Sequence, residues 1–379
     1  MGDLFTILAD LIAFKTVSLS PNISLINYLR DFFSLLGFST DIISHPHDPL
    51  RANLLCQIGP QVQGGLMLCG HTDVVPVSDQ NWYSDPFIMT EQEGRFYGRG
   101  TTDMKGFIAA TCVALSQLPL QKLSRPLSLL WTYDEEVGCQ GSYHMAPLLK
   151  NYFKYLPEAA LIGEPTDFRV LRMHAGHATV SIRVKGKGAH SSDPSLGVSA
   201  IKAMHQILTG IFALENELQQ EKSLENHFKR PFVLLNVGEI HGGSAVNIIP
   251  DEASVRIGFR PLPNTSIPHI VHRIKERAYK SCTMKEVGIT VTLENCAPAM
   301  MTKENIKLAN ILECYTTKGQ EEAAAYATDA GNLCEYDIPC LIFGPGTIDI
   351  AHQANEWISI NVLLQAREKI KGIVMDYCG

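Results

Sequence analysis

Two histidines and a set of carboxylates stand where short apolar runs of this 379-residue sequence end. The run at 66–70 stops at His71, with Asp73 two residues on. Asp103 follows a turn containing Gly98 and Gly100 and precedes a helix-like run at 107–118. The apolar 127–131 leads into Asp134-Glu135-Glu136, Ala159–Ile162 leads into Glu164-Pro165-Thr166, and His352 lies beyond a last apolar run near the C-terminus. Imidazole and carboxylate donors suit zinc or a similar cation. His71, Asp103, Glu136, Glu164 and His352 make five ligands, enough for two cations if one carboxylate bridges. Paired cations about 3.5–4 Å apart hold a hydroxide and polarise a carbonyl together. Glu135, next to a ligand in extended or turn backbone, points its carboxylate elsewhere, towards that water, as a general base must. Asp73 is placed to accept the His71 N–H and fix its tautomer. Each residue alone has an ordinary reading, a Glu-Glu pair as a solvated turn or His352 as a surface histidine. Their coincidence at successive strand ends favours the metal site.

The elements that must position these groups read as alternating strands and helices. Residues 3–14 and 24–36 have apolar positions at helical spacing, and 54–58, 66–69, 127–131 and Ala159–Ile162 read as strands. That pattern predicts an α/β layer with a mostly parallel central sheet, whose ligands bind beyond the carboxyl ends of the strands. At about residue 176 the period changes to two, in HATVSIRVKGKGAHSS and later ASVRIGFRPL, with helix-like runs at 198–220 and 266–279. Residues 176–296 therefore read as an α+β insert within an α/β domain made of 1–175 and 297–379. In the insert, His190 follows a glycine-rich turn and precedes Ser191-Ser192-Asp193-Pro194, which also reads as a capping loop. Asn247 and Arg260 each flank a strand. Arg260 suits a bidentate grip on a substrate carboxylate or an ordinary surface salt bridge.

The totals exclude several classes. Two domains are expected at this length. Apolar residues make up 45% and charged residues 19%, as in an ordinary globular protein. With 32 basic against 39 acidic residues, a net charge of −7 and no basic run, the sequence does not describe a nucleic-acid binder. Ten cysteines without a CxxC pair fit a reduced, cytoplasmic chain. The first residues lack the basic cluster of a secretory leader, and no run reaches the length of a membrane span. Gly98-x-Gly100, Gly186-x-Gly188 and Gly344-x-Gly346 each lack a third glycine in register, and neither GxxxxGK[ST] nor GxSxG occurs.

The stretches GHTDVVP, GRGTTDMKG, DEEVG, GEPT, GKGAHSSDPSLG, HGGSAVNIIP, FRPLP and FGPGTIDIAHQANE together resemble the dinuclear metallo-aminoacylase and carboxypeptidase superfamily. Within it they are most similar to the acetylornithine deacetylases. The resemblance implies a metallopeptidase catalytic domain with an inserted ferredoxin-like lid and dimerisation domain, and hence a homodimer. It implies two divalent ions, zinc or cobalt, on the five ligands with Asp103 bridging, Glu135 as base, and a non-proline cis peptide after Asp103. It further implies that His190 reaches the neighbouring subunit's site to stabilise the oxyanion, and that Asn247 and Arg260 face the substrate. Where some acetylornithine deacetylases have Thr-Glu-Ala-Pro, this chain has Thr328-Asp329-Ala330-Gly331, closer to the wider superfamily; Asp329 is taken as the substrate-facing residue there. The implied reaction is hydrolysis of N2-acetyl-L-ornithine to ornithine and acetate, a step of arginine biosynthesis, through a metal-bridging water. Succinyl-diaminopimelate desuccinylase, N-acetyl-citrulline deacetylase, another acyl-amino-acid hydrolase or a dipeptidase would use the same chemistry. A catalytically idle amino-acid-binding protein is the alternative outside enzymes.

Overall fold

A computed structural model describes residues 2–222, 228–316, 323–324 and 326–379. The chain divides into two compact units, one of Met1–His174, Met300–Ala324 and Thr328–Gly379, the other of Ala175–Ala299 and Ala325–Ala327.

The first unit is built on a six-stranded sheet in the order Ser39–His45, Asp48–Ile58, Leu127–Thr132, Leu66–His71, Ala159–Ile162, Cys340–Ile342. The last four strands run parallel and every residue in them is buried. Strands covered on both faces lose the polar alternation and become continuous apolar runs. Gly70 lies opposite Trp131, His71 opposite Thr132 and Cys69 opposite Ile162. Leu66–His71 and Leu127–Thr132 therefore finish level, Ala159–Ile162 stops two residues earlier, and the residues after all three emerge along one edge.

Ser39–His45 and Asp48–Ile58 depart from the parallel reading. They form an antiparallel hairpin whose last pair is His45 with Asp48. A two-residue connection has no room for the crossover that parallel strands require.

The helix Leu4–Ala13 is opened by Asp3, whose carboxylate accepts the N–H of Phe5 at 2.9 Å and of Thr6 at 3.0 Å. It buries Leu4, Ile7, Leu8, Leu11 and Ile12, the one-face set expected of an amphipathic helix, and packs against Lys105–Ser116. That second helix is buried from Lys105 to Leu115, with the C-terminal helix Ile360–Cys378 also packed on it. Its one ammonium is used internally: Lys105 Nζ donates to the carbonyls of Leu11 (3.0 Å) and Phe14 (2.8 Å), which end the first helix. Burial pushes Lys105 down to about 7. A Cβ on Gly163 would lie 2.1 Å from Phe107 Cδ1, so only glycine lets this helix approach the strand end that leads to Glu164.

The second unit has the chain order strand, helix, strand, strand, helix, strand. Its antiparallel sheet is ordered Leu234–Gly242, Glu252–Arg260, His177–Lys185, Gly288–Ala297, with the helices Ala200–Gln220 and Ile267–Ser281 supplying the rest of the core. This is the ferredoxin-like arrangement. Period-two burial in Glu252–Arg260 places Val255, Ile257 and Phe259 in that core with Ile207, Ile211 and Ile274. All ten cysteines are free thiols. Among the described residues no helix is long and apolar enough to cross a membrane.

Candidate metal centre

This edge of the parallel strands gathers the first unit's sequence-predicted groups. Strand Leu66–His71 delivers His71, strand Leu127–Thr132 leads to Glu135 and Glu136, and strand Ala159–Ile162 leads to Glu164. Asp103 precedes helix Lys105–Ser116, and the Asp103–Met104 peptide is cis. His352 stands in the turn after strand Cys340–Ile342. Asp103 lies between the histidines, Oδ1 3.0 Å from His71 Nε2 and Oδ2 3.2 Å from His352 Nε2. Glu136 Oε2 is 2.9 Å from His352 Nε2, and Glu164 Oε1 is 3.9 Å from His71 Nε2. Among the described residues two donor triplets converge, His71 with Asp103 and Glu136, and His71 with Glu135 and Glu164; within each, the atoms lie no more than 4.8 Å apart. Glu135 thus lies within reach of His71 and Glu164.

Asp73 is placed differently from the sequence expectation. His71 Nδ1 lies 2.9 Å from the main-chain carbonyl of Asp73 and 3.6 Å from its carboxylate Oδ1. A carbonyl only accepts, so Nδ1 carries the proton and Nε2 faces Asp103. The Asp73 carboxylate instead accepts the peptide N–H of Glu135 (3.0 Å) and Glu136 (3.3 Å) and the hydroxyl of Ser18 (2.7 Å). It positions the loop that carries both glutamates. Behind that loop, buried Asp134 takes an ion pair from Arg51 and the N–H of Leu19 at 2.7 Å.

Asp329 also differs from expectation. It is only 1% exposed, and its oxygens accept the hydroxyls of Thr132 and Ser142, each at 2.6 Å. Through those hydroxyls it ties the strand before Glu135 to the helix after it.

The centre carries a large excess of negative charge. Asp73, Asp103, Glu135, Glu136, Glu164 and Asp329 cluster around His71 and His352, and no lysine or arginine among the described residues pairs with any of the six. Burial, then the Glu164 carboxylate, pushes Glu135 well above the ordinary carboxylate range. Burial and Asp103 do the same to Glu164 and push Glu136 up to about 7. Burial also acts on Asp103, but hydrogen bonds with His352 and His71 hold it low. The same bonds, to Asp103 and Glu136, push His352 up to about 10. Carboxylates crowded out of water repel one another, and divalent cations relieve that repulsion. Two imidazoles plus carboxylate oxygens are a donor set that fits zinc and its neighbours.

The remaining predicted residues belong to the second unit. His190 is exposed in a two-residue strand, its Nδ1 2.8 Å from Ser192 Oγ. Asn247 is exposed, and its carbonyl accepts the N–H of Ser191 at 3.0 Å. Half-buried Arg260 ends strand Glu252–Arg260 with no carboxylate within 4 Å among the described residues. Sequence reasoning gave no role to Ser18, Arg51, Asp134, Arg99 or Glu356. Buried polar ties between distant segments leave no periodic signal.

The family model for peptidase family M20/M25/M40 matches residues 67–376. Among solved structures, a metallo-carboxypeptidase of that family from Sulfolobus solfataricus is similar at 18% identity and a TM-score of 0.79, covering 100% of this chain and 99% of its own. The di-peptidase Dug1p from Saccharomyces cerevisiae is similar at 15% identity and a TM-score of 0.75, covering 99% and 95%. A dinuclear metal-binding peptidase from Bacillus subtilis is similar at 13% identity and a TM-score of 0.65, covering 98% and 97%.

Proposed function

The chain belongs to peptidase family M20/M25/M40, and within this family of hydrolases we propose that it removes the acetyl group from N2-acetyl-L-ornithine, giving L-ornithine and acetate. The observation that carries the chemistry is Asp103 held between His71 and His352, with Glu135 buried beside them. Support for the substrate comes from the GEPT and AHQANE stretches, which resemble acetylornithine deacetylases.

His71, Asp103, Glu136, Glu164 and His352 would hold two divalent ions, zinc or cobalt. When bound, such ions supply Lewis acidity for the amide carbonyl and acidify water. Glu135 takes a proton from the attacking water and returns it to the departing amine nitrogen as the C–N bond breaks. Its burial beside His71 and Glu164 places the carboxylate within reach for both transfers. The guanidinium of Arg260, which meets no carboxylate among the described residues, suits the substrate α-carboxylate, and Asn247 also binds the substrate. His190, supplied by a second copy of the chain through a lid and dimerisation domain at 176–296, stabilises the oxyanion; one such donor is worth about 3–4 kcal/mol.

The test is acetate release by zinc- or cobalt-reconstituted protein from N2-acetyl-L-ornithine, run beside N-acetyl-citrulline, N-succinyl-diaminopimelate and a dipeptide panel. Fast turnover of acetylornithine alone is the expected result. Turnover of another substrate alone would retain the hydrolytic mechanism and replace the substrate. Binding of acetylornithine by metal-loaded protein without turnover of any substrate would point to the idle binding protein.

A further inference from the structure

Glu356 is fully buried, four residues beyond His352. Its carboxylate collects the peptide N–H groups of the segment that ends at Asp103. Oε1 accepts from Thr102 N at 2.8 Å and Asp103 N at 3.0 Å, and Oε2 accepts from Gly100 N at 3.0 Å and Arg99 Nη1 at 2.8 Å. The main-chain carbonyl of Glu356 accepts from Gly98 N at 3.0 Å, and the carbonyl of Trp357 accepts the Thr102 hydroxyl at 2.6 Å. Successive peptide N–H groups converging on one anion form a nest. Gly100 takes a φ of +87° there, and a Cβ on it would lie 2.9 Å from Val74 Cγ1.

The same cluster grips the segment that carries His352. Arg99 Nη1 also donates to the carbonyl of Gln353 at 3.2 Å, and Arg99 Nη2 donates to Gln80 Oε1 at 2.6 Å. Gln80 Nε2 in turn donates to the carbonyl of His352 at 2.8 Å. Asp103 and His352 are 249 positions apart, yet their main chains are linked through the Glu356 carboxylate, the Arg99 guanidinium and the Gln80 amide. A buried ion pair is a weak stability device, because desolvation offsets much of its attraction. These hydrogen bonds end on the peptide groups of the two residues that face each other across the centre.

We infer that Glu356 is a positioning residue: with Arg99 and Gln80 it sets the separation and orientation of Asp103 and His352, so that both reach the same pair of cations. The inference rests on the reading of these two residues as metal ligands. Every donor to the carboxylate is an N–H, so glutamine at this position would turn its own NH2 towards other donors. Arg99 would then face no counter-charge.

The experiment measures zinc affinity by competition with a chelating dye for wild type, Glu356→Gln, Gln80→Ala and Asp103→Asn. Near-UV circular dichroism and thermal midpoints of the chelated proteins are recorded alongside, with kcat and KM. Glu356→Gln is expected to bind zinc roughly 10–100-fold more weakly, the usual range for losing a group that orients a ligand, with kcat falling more than KM changes. Gln80→Ala, at a half-buried position that removes no charge, should fold as wild type and lose less affinity in the same direction. A Glu356→Gln protein with wild-type zinc affinity and kcat, changed only in its midpoint, would overturn the inference. If that variant does not fold, Gln80→Ala decides: weaker zinc binding supports the inference and wild-type binding overturns it. Failure of the ligand reading looks different. Wild type would then bind no zinc, or Asp103→Asn would bind it undiminished, and the inference would fall with it.

Discussion

Both units carry solvent-exposed ion pairs, such as Arg125–Glu158 in the first, but among the described residues only the first also buries them. In the first, Arg99–Glu356 has both side chains 1% exposed, and Arg51–Asp134 has 13% and 1%. In the second, Arg277–Glu217 has 32% and 44% exposed, Arg256–Glu239 46% and 49%, and Arg273–Glu221 18% and 55%. Pairs of the second kind join helix to helix or strand to strand in solvent and contribute about 0–1 kcal/mol each. Pairs of the first kind meet a desolvation cost that attraction alone does not recover. Their partners explain them, since each also holds main chain next to the metal centre. The first unit spends stability on geometry; the second is a sheet-and-helix body with a charged surface.

Substitutions that probe this contrast should separate by size. The largest effect is on chemistry: Glu135→Gln is expected to lower turnover about 10²–10⁴-fold while metal analysis still finds the wild-type ion content. Loss of metal along with activity would make Glu135 a ligand and not a base.

Next comes Arg51→Met, which leaves Asp134 buried without its cation and should cost about 3–5 kcal/mol in urea unfolding. A loss below about 1 kcal/mol would mean that the Leu19 N–H suffices, and that the burial of this pair carries little meaning.

Chelation should lower the stability of the first unit by about 2.7 kcal/mol relative to protein at free zinc 100 times its Kd. Amide exchange should show that loss in strands Leu66–His71 and Leu127–Thr132 and not in strand Glu252–Arg260. Equal loss in both units would erase the contrast.

Arg277→Ala should cost under about 1 kcal/mol, less at high salt. A larger cost would place this pair with the buried kind.

The smallest effect concerns pH. Burial, then neighbouring His45 and Arg51, holds His144 below its usual 6.5, and burial with Arg51 and His47 does the same to His45. The unfolded chain therefore takes up protons that the folded chain resists, and stability falls as pH drops through 6.5. His144→Gln should flatten that fall between about pH 7 and 5, measured by thermal midpoints. An unchanged slope would remove His144 from the account.

Much of the fold was readable before any coordinates. Strand Ala159–Ile162 has the limits its apolar run predicts, and helix Ala200–Gln220 starts two residues inside its predicted limit. Strands Ser39–His45, Leu234–Gly242 and Gly288–Ala297 leave no strand signal in the sequence, because long stretches of each face solvent and lack a clean apolar period.

For the site, sequence alone determined which residues end the buried strands. A strand buried on both faces is mostly apolar, so the charged residues that follow it mark the edge of the sheet. His71, Glu135, Glu136 and Glu164 were legible for that reason. What only the tertiary structure decided is how those residues are held. Asp73 could have bonded an imidazole or a peptide, and Asp329 a substrate or two hydroxyls; the choice depends on Ser18, Thr132 and Ser142, brought from other segments. Glu356 follows the same rule. A carboxylate in a sequence carries only a charge, and its partners are chosen by whichever N–H groups the fold leaves without water.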